Sequence, residues 1–147
     1  WGLVSDAGSP AVGDPGAPLV WLAHLRGIRV SPQPGTSAVL LALMASGLNG
    51  QRFVFHGYLS KESAGRRRQM VEMESDSKKC DRTQIWMETP YRNQAVFEDA
   101  LAVLNDKTLF CVAADLTLPS EEIHTASVDF WKKNPANSGS KGRRSGA

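Results

Sequence analysis

Residues 2–16 read GLVSDAGSPAVGDPG and residues 28–38 read IRVSPQPGTSA. Each stretch has the same grammar: a short β-like run (2–5, then 28–31), a Gly/Pro loop, and then a helical pattern. An open α/β sheet binds its ligand in this way, at the carboxyl ends of strands, where backbone without bulky side chains approaches closely. The two loops predict an α/β protein with its site built on them.

Working outward, Pro15 and Pro18 suit a helix start, Leu19, Val20, Leu22, Ala23 and Leu25 supply apolar content, and Gly27 is a plausible stop. The run SAVLLALMAS at residues 37–46 is apolar nearly all round, as in a buried helix, and Gly47 ends it. Composition turns polar around residues 48–51, a boundary between lobes. Beyond it, residues 52–59 alternate like a strand, 62–75 predict a helix with a thin apolar face (Met70, Val71, Met73), and 83–88 predict a strand. Residues 93–104 form an amphipathic helix pattern with Val96, Phe97, Ala100, Leu101 and Leu104 on one side. Strands at 109–114 and 122–125 and a short helix at 128–133 complete the alternation, and there is no internal repeat.

The whole chain has 147 residues and a formal net charge of +2. Residues 134–147, NPANSGSKGRRSGA, contain Lys141, Arg143 and Arg144 without an acid, so taking those three from +2 leaves −1 for residues 1–133. The body is not basic and lacks the broad footprint of a self-sufficient nucleic-acid binder. The tail, without an apolar period, is expected to be disordered. Cys80 and Cys111 form no CxxC or Cys/His pattern, so neither a metal site nor a disulfide framework is expected, and reduced thiols fit a cytoplasmic setting. No apolar run approaches a membrane span. The start at Trp1, running at once into a strand with nothing to pair with, predicts further chain upstream.

The succession SDAGSPAVGDPG, PQPGTSA followed by GL, RFVFHGYLSK followed by GRR, METPYR, and AADLT followed by EEIH resembles the tetrapyrrole methylase superfamily of S-adenosylmethionine (SAM)-dependent methyltransferases. Within it, the chain is most similar to the branch that methylates a ribose 2′-hydroxyl in small-subunit ribosomal RNA. The resemblance implies a two-lobed α/β homodimer with SAM in the cleft. Residues 1–48 would be the end of the first, SAM-binding lobe, 49–133 most of the second lobe with a central mixed sheet, and 134–147 the tail. It implies SAM contacts at Gly8, Ser9, Pro10 and Val12, at Ser37 and Ala38, and an adenine wall at Met87 and Ala114. Read without the resemblance, Gly8 and Pro10 make a simple turn, Ser37 a helix cap, and Met87 and Ala114 core packing.

Three departures from the family pattern stand out. The GxGPG-type loop falls before Trp1, a polar tail replaces the strand expected after Lys133, and Ala114 and Asp115 stand where the branch carries Arg-Glu. Arg66, Arg67 and Arg68 are candidate RNA-phosphate contacts, with a solvated helix face as the alternative. Glu88 and Arg92, flanking the TPY turn, are a candidate substrate-facing ion pair, with structural pairing as the alternative. Asp6 reads as a cap of the Gly-rich turn. His24, His56 and His124 lack metal or triad spacing. Neither the methyl acceptor nor a general base follows from the residues. A tetrapyrrole or small-molecule methyltransferase and a non-catalytic remnant or interaction module remain open as alternatives.

Overall fold

The computed structural model describes residues 2–5 and 9–134. The expectations for Asp6, Gly8 and the tail from 135 onward lie outside the described residues. The element order is α1 (Ala17–Leu25), α2 (Ala38–Ser46), β1 (Phe53–Tyr58), α3 (Ser63–Cys80), β2 (Thr83–Met87), α4 (Asn93–Val103), β3 (Leu109–Ala114), β4 (Glu122–Ser127) and α5 (Val128–Lys133). This is a mixed α/β arrangement.

β1 and β2 pair in parallel from Phe53↔Thr83 to Tyr58↔Met87, and β3 and β4 pair antiparallel from Leu109↔Ser127 to Ala114↔Glu122. Parallel pairing needs a crossover, which α3 supplies; the antiparallel pair needs only the turn at 115–121. Two two-stranded sheets therefore stand where one central mixed sheet was expected, with no ladder between β2 and β3 among the described residues. β1 is irregular: its register shifts between Phe55 and Tyr58, and Gly57 there has φ +68°. That conformation is easily reached only without a Cβ, so a glycine-based bulge turns the end of β1.

Two expected strands are corrected. Residues 2–5 and 28–31 carry no ladder. A strand exists by backbone hydrogen bonding to a neighbouring strand, and neither stretch has a ladder partner among the described residues. α3 corrects a helix end, continuing five residues past Ser75 to Cys80. Its last turn is held by the Lys78–Glu74 ion pair at 3.0 Å and by Ser77 Oγ donating to Arg82 O at 2.7 Å, while Asp81 adopts the left-handed conformation that stops it.

The core lies where α3, α4 and α5 meet the strands. Leu59, Met70, Met73, Val96, Ala100, Leu104 and Val128 are buried together, with Trp86 of β2 and Phe110 of β3 packed on them. Trp131 is 0% exposed; it lies edge-on to Phe97 at 5.5 Å and donates its indole N–H to Phe110 O at 2.8 Å. Trp131→Ala is expected to destabilise by roughly 3–5 kcal/mol. Trp131→Phe should cost less, because it retains part of the ring packing and loses only the indole's hydrogen bond to Phe110 O, which the β3–β4 ladder still pairs. Denaturant titration of both variants checks this, and a Trp131→Ala midpoint equal to wild type would remove the residue from the core.

Away from that core the apolar surface is open. α1 has no buried residue, leaving Leu19, Trp21, Leu22 and Leu25 exposed. On α2, Val39 and Leu43 are buried but Leu40 and Met44 are not. Exposed apolar side chains of this kind are what a further protein layer covers. Among the described residues no helix is long and apolar enough to cross a membrane.

Candidate functional site

The first Gly/Pro loop folds back on itself through Val12 N donating to Ser9 O at 2.9 Å. This tight reversal needs positive φ at Ala11 (+66°) and Gly13 (+76°). A Cβ built on Gly13 would lie 3.4 Å from both Met87 Sδ and Phe55 Cζ. The loop thus rests on the end of β2 and on β1 beside its bulge. Side chains alternate along a strand, so Trp86 enters the core while Met87 meets the loop. Of the residues named from sequence, this brings the loop bearing Ser9, Pro10 and Val12 together with Met87. Ser9 is half-buried, whereas Pro10 and Val12 are exposed.

The second loop delivers Ser37 to the start of α2, with an extended backbone (φ −118°, ψ 130°) and its carbonyl accepting from Leu41 N at 2.9 Å. The backbone reading as an N-cap holds, but the Ser37 side chain makes no capping hydrogen bond. Its hydroxyl and the amides of the first turn, Ala38 included, remain available to a ligand. α2 packs on β2, β3 and β4, anchored by Thr125 Oγ1 donating to Ser46 O at 2.8 Å. An open groove of about 300 Å³ lies beside this contact, lined by Leu41, Met44 and Ala45 of α2 and by Leu116, Glu121 and Ile123. Ala114 is half-buried at the end of β3, opposite Glu122 and just before the positive-φ residue Asp115.

Glu88 and Arg92 do meet, Arg92 Nη2 lying 3.2 Å from Glu88 Oε2, with the Glu88 side chain 5% exposed and that of Arg92 21% exposed. The arginine run is corrected at Arg66. Its residue exposure is 5%, and it donates to Asp99 through Nε at 2.8 Å and to Ser60 O and Lys61 O through Nη1 at 3.1 and 3.0 Å. A guanidinium enclosed and partnered in this way cannot reach an RNA phosphate. Arg67 is half-exposed with its Nε on Asp99 at 2.6 Å, and Arg68 points outward.

The residue missed in sequence reading is Asp99, 3% exposed, which organises Arg66, Arg67 and Ser63. Its signal was present: an acid among Val96, Phe97 and Ala100 on the apolar face of α4. Burial works against its ionisation, but hydrogen bonds from Arg67, Ser63 and Arg66 prevail and hold its pKa below the ordinary carboxylate range. Asp76, lowered to about 2 chiefly by its hydrogen bond from Arg82, lies by the amino end of β2 with Gln84 and so away from the loops. No group of three or more His, Cys, Asp or Glu suited to a metal ion occurs among the described residues.

No protein-family model matches the chain. Curated proteins do. "Ribosomal RNA small subunit methyltransferase I" of Escherichia coli O157:H7 is 40% identical over 138 residues, which is 92% of this chain and 47% of that protein. The protein of the same name from Pseudomonas aeruginosa is 36% identical over 138 residues, 92% of this chain and 48% of its own length. That of Mycobacterium bovis is 35% identical over 127 residues, 86% and 43% respectively. The chain is similar to these relatives over most of its own length. It spans about half the length of the curated relatives it matches.

Proposed function

We propose that this chain is part of a SAM-dependent methyltransferase that modifies a ribose 2′-hydroxyl of small-subunit ribosomal RNA. In this reading residues 1–48 close the first lobe of a tetrapyrrole-methylase-like fold and 49–133 belong to the second, in a homodimer acting in the cytoplasm. The observation that carries it is the loop at Gly13, set so close to Met87 and Phe55, at the carboxyl side of a parallel strand pair, that a Cβ there would lie 3.4 Å from each. The similarity to proteins named as ribosomal RNA methyltransferases supports the acceptor.

SAM supplies an activated methyl group on a sulfonium, transferred by in-line displacement to an oxygen that loses its proton. The chain's part is to bind and orient. Ser9, Pro10 and Val12 offer a backbone-rich surface, Ser37 an unused hydroxyl, Ala38 a free helix-start amide, and Met87 and Ala114 apolar faces for the adenine. Gly8 belongs to the same proposal. These groups fit a ligand with a polar amino-acid end and a flat apolar base. The test uses the full-length protein carrying this chain, with labelled SAM and undermethylated small ribosomal subunits. Label recovered in a 2′-O-methyl nucleoside is the expected result. Transfer to a tetrapyrrole and not to RNA would replace the acceptor, and no transfer with no SAM binding would overturn the proposal.

A further inference from the structure

The β1–β2 ladder closes at Tyr58↔Met87, beyond the bulge at Gly57. Past that rung the strands are joined by side chains. Glu88 Oε1 accepts from Thr89 N at 2.8 Å and from Thr89 Oγ1 at 3.2 Å, which fixes the carboxylate to the turn after β2. Arg92 returns from the start of α4, and its Nη2 donates to Leu59 O at 3.3 Å and Ser60 O at 2.9 Å while lying 3.2 Å from Glu88 Oε2. Ser60 is held from its other side as well: its N–H donates to Gln69 Oε1 at 2.9 Å, and its carbonyl also accepts from Arg66 at 3.1 Å. Glu88 Oε2 is buried without a hydrogen bond of its own, so its attraction to the guanidinium is what holds it.

We propose that Glu88 and Arg92 are a positioning pair, which extends the strand register by one step beyond the backbone ladder and so keeps Met87 and the loop at Gly13 in place for the methyl donor. Gly13 faces a residue of each strand, Phe55 on β1 and Met87 on β2, so closely that an added Cβ would meet both. Any slip of one strand end against the other therefore displaces one of the two contacts. Neither charged group needs to touch the donor or the acceptor: both are occupied by protein partners. Arginine suits the task because Nη2, which makes all three contacts, sits on a rigid planar group that aims its N–H bonds in fixed directions, whereas an ammonium on a flexible stem does not.

This inference rests on the methyltransferase reading, and its test separates the two. SAM is titrated calorimetrically into the full-length protein and its Arg92→Met, Arg92→Lys and Glu88→Gln variants, with Arg68→Ala as a control for lost charge, and circular dichroism fixes a temperature at which each is folded. Loosening of a preorganised wall should weaken SAM binding by about tenfold or more in Arg92→Met and about threefold in Arg92→Lys. KM for SAM should rise while kcat holds within about threefold, the pattern of lost binding common to ground and transition states. A merely structural pair would lower the melting temperature and leave the folded variants with wild-type affinity. Should Arg92→Met fail to fold, Arg92→Lys and Glu88→Gln decide. Wild-type affinity in those folded variants overturns the positioning role alone, whereas a wild-type protein that binds no SAM overturns the methyltransferase reading and the inference with it.

Discussion

Ser37→Leu, made in the full-length protein carrying this chain, is expected to weaken SAM binding about a hundredfold or more while leaving the protein folded. Two losses combine: a hydroxyl that makes no capping bond and is free for a ligand is removed, at about 1 kcal/mol, and a branched side chain is forced into a close backbone approach, at about 1–3 kcal/mol. Together these come to about 2–4 kcal/mol, where 1.4 kcal/mol is tenfold. Stability should change little. The Ser37 side chain caps nothing, its carbonyl hydrogen bond to Leu41 N survives, and the buried apolar residues of α2 are Val39 and Leu43. Calorimetric titration alongside thermal melting checks both halves. Equal affinities would remove the second loop from the donor site, and a variant that unfolds would show Ser37 to be part of the fold's support. Residues 1–147 expressed alone are expected to bind SAM more weakly than the full-length protein, because the resemblance puts a glycine-rich part of the cleft outside them.

What could be read from sequence was whatever local chemistry dictates. The bounds expected for β3 and α5 hold, and α2 starts one residue after Ser37 and ends before Gly47, whose φ of +71° is the left-handed stop that glycine favours. Features decided by distant partners were not legible. Residues 28–31 have strand composition, yet strand is a property of pairs. The bulge at Gly57 reads locally as part of an alternating strand, and only the register against β2 reveals it. The same distinction governs the site. Gly/Pro punctuation marks both loops without any partner, so their place on the chain was readable, while the first loop's approach to Met87 depends on a strand some seventy residues later. Three consecutive arginines are equivalent in composition; which one turns inward is set by Asp99 on another helix.

That carboxylate carries a stability effect as large as that of Trp131. Asp99→Ala should cost roughly 3–5 kcal/mol, because it leaves the Arg66 guanidinium buried with no counter-charge, the costly way to break an enclosed pair. The Arg66 side chain is 6% exposed, so water cannot readily replace the lost partner. Arg67, half-exposed, can turn to solvent and contributes less. Asp99→Ala combined with Arg66→Met should recover part of the loss, since the stranded charge goes with its partner, and a double-mutant cycle measures the coupling. The acid limb of the stability curve gives an independent check. Asp99 has a folded-state pKa below its ordinary value, so the unfolded chain takes up its proton first as pH falls. Its contribution is complete above the ordinary carboxylate range and is lost as pH falls through the folded value. Between neutral pH and that range Asp99→Ala should therefore be uniformly less stable than wild type, and the gap should narrow as acid protonates the wild-type residue. Parallel curves down to the lowest pH at which both proteins fold would mean that Asp99 does not gain its stabilisation from ionised pairing with Arg66.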